Sequence, residues 1–117
     1  DDGLDEITTT ATTTLAHITD AGVTNQSLDP THLGLATASL EDLAATTVED
    51  AADIIRNILD GQHGPHRDIA SLNAAAAILC SGVADSLEDA LERARHAIDA
   101  GHATRALETL ARVSHQA

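Results

Sequence analysis

The sequence predicts an α/β chain in which a short β-hairpin is followed by about four helices, forming part of a layered α/β arrangement rather than a closed bundle. Three observations carry this expectation. A Thr-rich, β-branched segment with period-two alternation precedes an Asp-Pro break. Three copies of a hydroxyl-x-x-carboxylate start signal follow it. From there to the end, apolar residues recur at helical spacing. The whole chain is 117 residues, which allows one folded unit with a modest core.

Each element has a local cause. From Ile7 to Thr19, Leu15, His17 and Thr19 alternate against Thr14, Ala16 and Ile18, which suits a strand. Asp20-Ala21-Gly22 supplies a turn, and Val23 to Leu28 is a second extended run, giving a hairpin over residues 7 to 28. Pro30 ends it, because the residue before a proline is driven out of the helical region. Ser39, Thr47 and Ser86 each place a hydroxyl at a helix N-cap with a carboxylate three residues on. After Thr47, Val48, Ala51, Ala52, Ile55, Ile58 and Leu59 share one helical face, and Gly61 stands where a left-handed stop is needed. Gly64-Pro65 breaks the chain before a helix from Arg67 to Cys80, whose second half is apolar on all sides and is expected to be buried centrally. After Ser86, Leu87, Ala90, Leu91, Ala94 and Ile98 face inward and Asp89 pairs with Arg93, until Gly101 closes the helix. A last helix carries Leu107, Leu110 and Val113 on one side and a Glu108–Arg112 pair on the other.

Composition excludes several classes of function. Six cations, all Arg, stand against nineteen carboxylates, a formal net charge of −13 that repels nucleic-acid backbones and anionic membranes. Apolar residues are 43% of the chain, yet Phe, Trp, Tyr and Met are absent. Base stacking, aromatic cages for cations and haem ligation through Met are thereby removed. The core is left to Ala, Leu, Ile and Val. Cys80 has no internal partner and reads as a small hydrophobe in a reducing compartment. The longest apolar run, Ala74 to Cys80, falls far short of the roughly 20 residues that span a bilayer, so a soluble, cytoplasmic protein is expected. Spread acidic charge, no Lys and few large apolar side chains together suit a surface working in concentrated salt.

The histidines offer little chemistry. His63-Gly64-Pro65-His66 is a loop, and no second Cys or His pair lies at zinc-site spacing. The histidines at 17, 32, 96, 102 and 115 are scattered and expected to face solvent. Neither a Gly-x-Ser-x-Gly elbow nor a Gly-rich phosphate loop occurs. The opening residues are different: Asp5 and Glu6 are adjacent carboxylates beside a Gly3-containing turn. Such a pair suits a hard cation that keeps several waters and shares substrate phosphates, as Mg²⁺ does with a pyrophosphate. Taken alone, a solvated acidic turn explains them as well.

Asp2-Gly3-Leu4-Asp5-Glu6-Ile7, then Gly64-Pro65-His66-Arg67-Asp68-Ile69, then Leu72-Asn73-Ala74-Ala75-Ala76-Ala77, resembles the C-terminal portion of anthranilate phosphoribosyltransferases. Ala38-Ser39-Leu40-Glu41-Asp42-Leu43 and Ala84-Asp85-Ser86-Leu87-Glu88 are also similar to that family in order and spacing. The resemblance covers essentially all 117 residues. It implies that residues 1–117 are a C-terminal fragment of the catalytic α/β domain, consistent with an opening that has carboxylates and no Met. It further implies transfer of phosphoribosyl from phosphoribosyl pyrophosphate to anthranilate, on the way to tryptophan. Asp5 and Glu6 would bind Mg²⁺ beside the pyrophosphate, whose developing charge a cation stabilises. Gly64-Pro65 and Arg67-Asp68 would be structural, with Asp68 capping the buried helix.

The family's Gly-rich pyrophosphate loop, its anthranilate-contacting residues and its helical N-terminal dimerisation domain lie upstream of the acidic motif and are not in this sequence. The resemblance therefore implies a homodimeric parent enzyme and an inactive isolated fragment. Two alternatives stand beside it: a non-catalytic, nucleic-acid-binding relative of the same fold, and a small acidic helical interaction module. The first is opposed by the net charge and the intact Asp5-Glu6, and the second leaves the ordered motifs to coincidence.

Overall fold

A computed structural model describes residues 2–115. It divides into two compact units, residues 1–44 and 45–117, where length alone pointed to one folded unit. The first holds the antiparallel hairpin, β1 (Thr13–Thr19) and β2 (Gly22–Leu28), with Thr19 opposite Gly22, Ile18 opposite Val23 and Thr13 opposite Leu28. A 3₁₀ turn at Pro30–Leu33 follows, capped by Asp29, whose carboxylate accepts from the Thr31 N–H at 2.9 Å. The first strand is shorter than expected. Residues 7–12 are not strand: Thr8 Oγ1 accepts the Thr10 N–H and Thr13 Oγ1 accepts the Thr8 N–H, local bonds that compete with ladder bonding and that propensity does not register.

The start signals hold. Ser39 caps the single turn α1 (Leu40–Leu43) in a reciprocal box with Asp42, whose carboxylate accepts the Ser39 N–H at 2.9 Å. Thr47 caps α2 (Val48–Leu59), accepting the Asp50 N–H at 3.0 Å. Ser86 caps α4 (Leu87–Asp99), accepting the Asp89 N–H at 3.2 Å. Between them lies α3 (Pro65–Cys80), and α5 (His102–Ser114) follows α4. Gly61 has φ +82°, the left-handed stop expected after α2.

Packing departs from the sequence reading on three faces. In α3, Leu72 and Ala75 are buried against α4 together with Ser71 and Arg67, whereas Ala74, Ala77 and Cys80 are exposed. An all-round apolar helix is buried only as far as its neighbours reach, and in this unit they reach one side. Cys80 is accordingly an exposed thiol and not a core residue. The α4 face is as expected, with Ala90, Leu91, Ala94 and Ile98 buried. By contrast Val48 and Ile55 of α2 and Leu107, Leu110 and Val113 of α5 are exposed. The Asp89–Arg93 pair forms at 3.0 Å, but Glu108 and Arg112 form no pair within 4.0 Å.

The helical unit's buried hydrophobic residues are thus Leu72, Ala75, Ala84, Ala90, Leu91, Ala94 and Ile98, a small aliphatic set under a net charge of −13. Carboxylate repulsion acts over about 10 Å at 0.1 M salt and about 3 Å at 1 M. Folding of this chain is therefore expected to require molar salt, read as helicity and melting temperature that rise along a salt series by circular dichroism. Equal values in dilute and molar salt would count against a salt-adapted surface.

Candidate functional site

Residues 2–10 form a loop closed by its own hydrogen bonds. The Asp2 carboxylate accepts the Leu4 N–H at 3.0 Å through Oδ1 and the Thr10 hydroxyl through Oδ2. The Thr10 hydroxyl also lies 3.0 Å from that of Thr8, and Thr8 Oγ1 accepts the Thr10 N–H at 3.0 Å. The hydroxyls of Thr10 and Thr8, then the Leu4 N–H, hold the Asp2 carboxyl well below the usual carboxylate range. On the inner side, Thr8 and Thr9 are buried, and the Thr9 carbonyl accepts the Ala38 N–H at 3.1 Å.

Gly3, with φ +88°, turns the chain toward the outer side, where Asp5 and Glu6 occupy a bend. Both are exposed, and neither has a hydrogen-bond or ion-pair partner among the described residues. The donor set is two hard carboxylates open to water. It fits Mg²⁺, which retains waters and takes one or two protein carboxylates, and does not fit a metal needing three or more protein ligands. Among the described residues, no three of His, Cys, Asp and Glu gather in a metal-holding group.

The other sequence candidates fall elsewhere. Histidines 17, 32, 96, 102 and 115 are exposed, as expected. His63 and His66 border a cleft of about 110 Å³ between α2 and the start of α3, along with Ile54, Ile58, Pro65 and Arg67. That volume is well under the few hundred Å³ of a small-molecule site. Asp68 does not cap α3. Gly64 is the N-cap, without a side-chain bond, and Pro65 opens the helix because its fixed φ suits the first position and its missing N–H needs no acceptor. Asp68 lies one turn in and faces Arg95 at 3.9 Å.

Arg67 is structural, as expected, and its partners are now visible. Its guanidinium donates to both Asp99 oxygens, at 2.8 and 2.9 Å, and to the Gly61 carbonyl at 2.8 Å. It thereby ties the end of α2 and the end of α4 to the start of α3. Sequence reasoning missed the roles of Asp2, Thr8 and Thr10. The two-residue bonds, Asp2 to the Leu4 N–H and Thr8 to the Thr10 N–H, follow local turn patterns, whereas the Asp2–Thr10 bond joins residues too far apart in sequence for such a signal.

Residues 1–104 match the profile of a family described as "Glycosyl transferase family, a/b domain". An anthranilate phosphoribosyltransferase of Methylobacterium nodulans is 45% identical over 113 residues, which is 97% of this chain and 34% of that protein. The crystal structure of anthranilate phosphoribosyltransferase from Thermus thermophilus superposes with a TM-score of 0.81 at 29% identity, covering 93% of this chain and 32% of that one. A variant of the Saccharomyces cerevisiae enzyme, solved with Mg bound, gives 0.78 at 27% identity, covering 91% and 31%. This chain therefore spans about a third of the length of the relatives it matches. No helix among the described residues is long and apolar enough to cross a membrane.

Proposed function

This chain belongs to the glycosyl transferase family defined by that a/b domain, and on this premise we propose that it forms the C-terminal third of an anthranilate phosphoribosyltransferase. The observation that carries the proposal is one alignment running through almost the whole chain at 45% identity, with Asp5 and Glu6 left exposed and unpartnered on a closed loop.

In the proposed reaction the C1–O bond between ribose and pyrophosphate breaks, a bond forms from C1 to the anthranilate nitrogen, pyrophosphate leaves with the bond's electron pair, and the nitrogen gives up one proton to solvent. The substrates would be held mainly by residues outside this chain. Asp5 and Glu6 would hold Mg²⁺, which supplies charge neutralisation to the departing pyrophosphate. The loop's part is to present two oxygen donors to water without spending either on a protein donor. The buried Thr8 and Thr9 fix that loop at its base, so Asp5 and Glu6 stand on an anchored segment.

The test is turnover by the complete polypeptide that carries this chain, followed as loss of anthranilate fluorescence. Loss that requires both phosphoribosyl pyrophosphate and Mg²⁺ is expected. A folded polypeptide that leaves anthranilate unchanged overturns the proposal.

A further inference from the structure

We propose that Asp2 is the positioning residue of the Asp5–Glu6 pair, its carboxylate clasping the loop so that both exposed carboxylates are offered to one cation. The inference rests on the metal reading of Asp5 and Glu6 given above. In an extended backbone, adjacent side chains point to opposite sides, so two consecutive residues share a cation only if the chain is held off that geometry. The chain bends at residues 5 and 6, off a fully extended path, and two neighbouring carboxylates there repel. What holds the bend is at the loop's ends.

Asp2 Oδ2 accepts the Thr10 hydroxyl, closing residues 2–10 into a ring, and Oδ1 accepts the Leu4 N–H, fixing the turn at Gly3 just before the pair. Thr8 supports the Thr10 hydroxyl and backbone at 3.0 Å each. Both Asp2 oxygens are therefore engaged inside the loop, and Asp2 is half-buried while Asp5 and Glu6 are exposed. A carboxylate so engaged acts on the site through the backbone and not as a third ligand. Opening the ring would leave the pair free to separate, and the entropy of re-forming the bend would then be charged to cation binding.

The test uses the complete polypeptide, with Mn²⁺ as paramagnetic probe and inorganic pyrophosphate present, bound Mn²⁺ being read by electron paramagnetic resonance. Asp2→Asn and, separately, Thr10→Val are each expected to weaken Mn²⁺ about tenfold, the size of effect typical for groups that orient metal ligands. The Mg²⁺ concentration for half-maximal turnover should rise by the same factor, while kcat at saturating Mg²⁺ and the melting temperature hold. The double variant should lose less than the sum of the two single losses, because the Asp2–Thr10 bond is common to both. Asp5→Asn with Glu6→Gln serves as the reference for a lost site. If that variant loses Mn²⁺ but Asp2→Asn and Thr10→Val bind it normally, Asp2 does not position the pair. Additive losses in the double variant overturn the clasp equally. If the Asp5 and Glu6 variant itself binds Mn²⁺ like the parent, the metal reading fails first.

Discussion

Replacing Asp5 and Glu6 together by alanine in the complete polypeptide is expected to lower turnover about a hundredfold or more, with the residual rate insensitive to Mg²⁺. The magnitude is that of removing a group that stabilises charge only as it develops. The fold should survive. Both side chains are exposed and accept no hydrogen bond, so their loss leaves no orphaned donor and no cavity. Steady-state turnover against Mg²⁺ concentration reads the first effect, and circular dichroism the second. Unchanged turnover with an unchanged Mg²⁺ profile would make these residues a solvated turn and nothing more. This 117-residue chain alone is expected to hold Mg²⁺ weakly, because two carboxylates without further protein ligands or a bound phosphate barely outbid water.

A second large effect is expected far from the loop. Asp99→Ala should destabilise the helical unit by about 2–3 kcal/mol, because it strands the Arg67 guanidinium, which is 4% exposed, with one carbonyl in place of a bidentate carboxylate. The loss of one partner from a fully enclosed pair costs about 3–5 kcal/mol. The smaller figure applies because the Asp99 side chain is 56% exposed, so water reaches the vacated position. Arg67→Lys should not rescue the contact, since an ammonium cannot bond both carboxylate oxygens and the Gly61 carbonyl in one plane. The matched control is Asp53→Ala, which breaks a 2.6 Å pair to Arg56 that is exposed on both sides. That change should cost under about 0.5 kcal/mol. Urea denaturation monitored by helicity separates the two. Equal midpoints for Asp99→Ala and Asp53→Ala would show that Arg67 contributes no more than a surface pair.

What was legible in the sequence was local. N-caps at Ser39, Thr47 and Ser86 act within three residues, and the turn joining β1 to β2 is set by adjacent residues, so each could be read from neighbours alone. The inward face of α4 was legible because its partner α3 belongs to the same unit. The Arg67–Asp99 contact spans 32 residues, and no spacing rule announces it. The error over residues 7–12 has a different origin. β-branching favours strands, but a Thr also carries a hydroxyl, and the hydroxyls of Thr8, Thr10 and Thr13 bond locally around residues 8–10. The exposed sides of α3 and α5 show a third limit, since periodicity says which residues share a face and not whether anything covers it. For the candidate site, a motif singles out Asp5 and Glu6 as candidates, whereas the bonds that shape their loop show only in the fold.

The hairpin has a consequence for colloidal behaviour. In a chain of net charge −13, the fourteen residues of β1 and β2 contain no Asp, Glu or Arg, and no third strand pairs with either among the described residues. Uncharged open edges are templates for pairing between molecules, and charged side chains on the edge are the usual local deterrent. Here that deterrent is supplied from a distance, by repulsion between whole molecules. Screening weakens repulsion between copies as well as within one, so salt that would help each chain fold would also let hairpin edges approach. Solubility and folding are therefore expected to pull in opposite directions along the same salt axis, until something occupies the edges of β1 and β2.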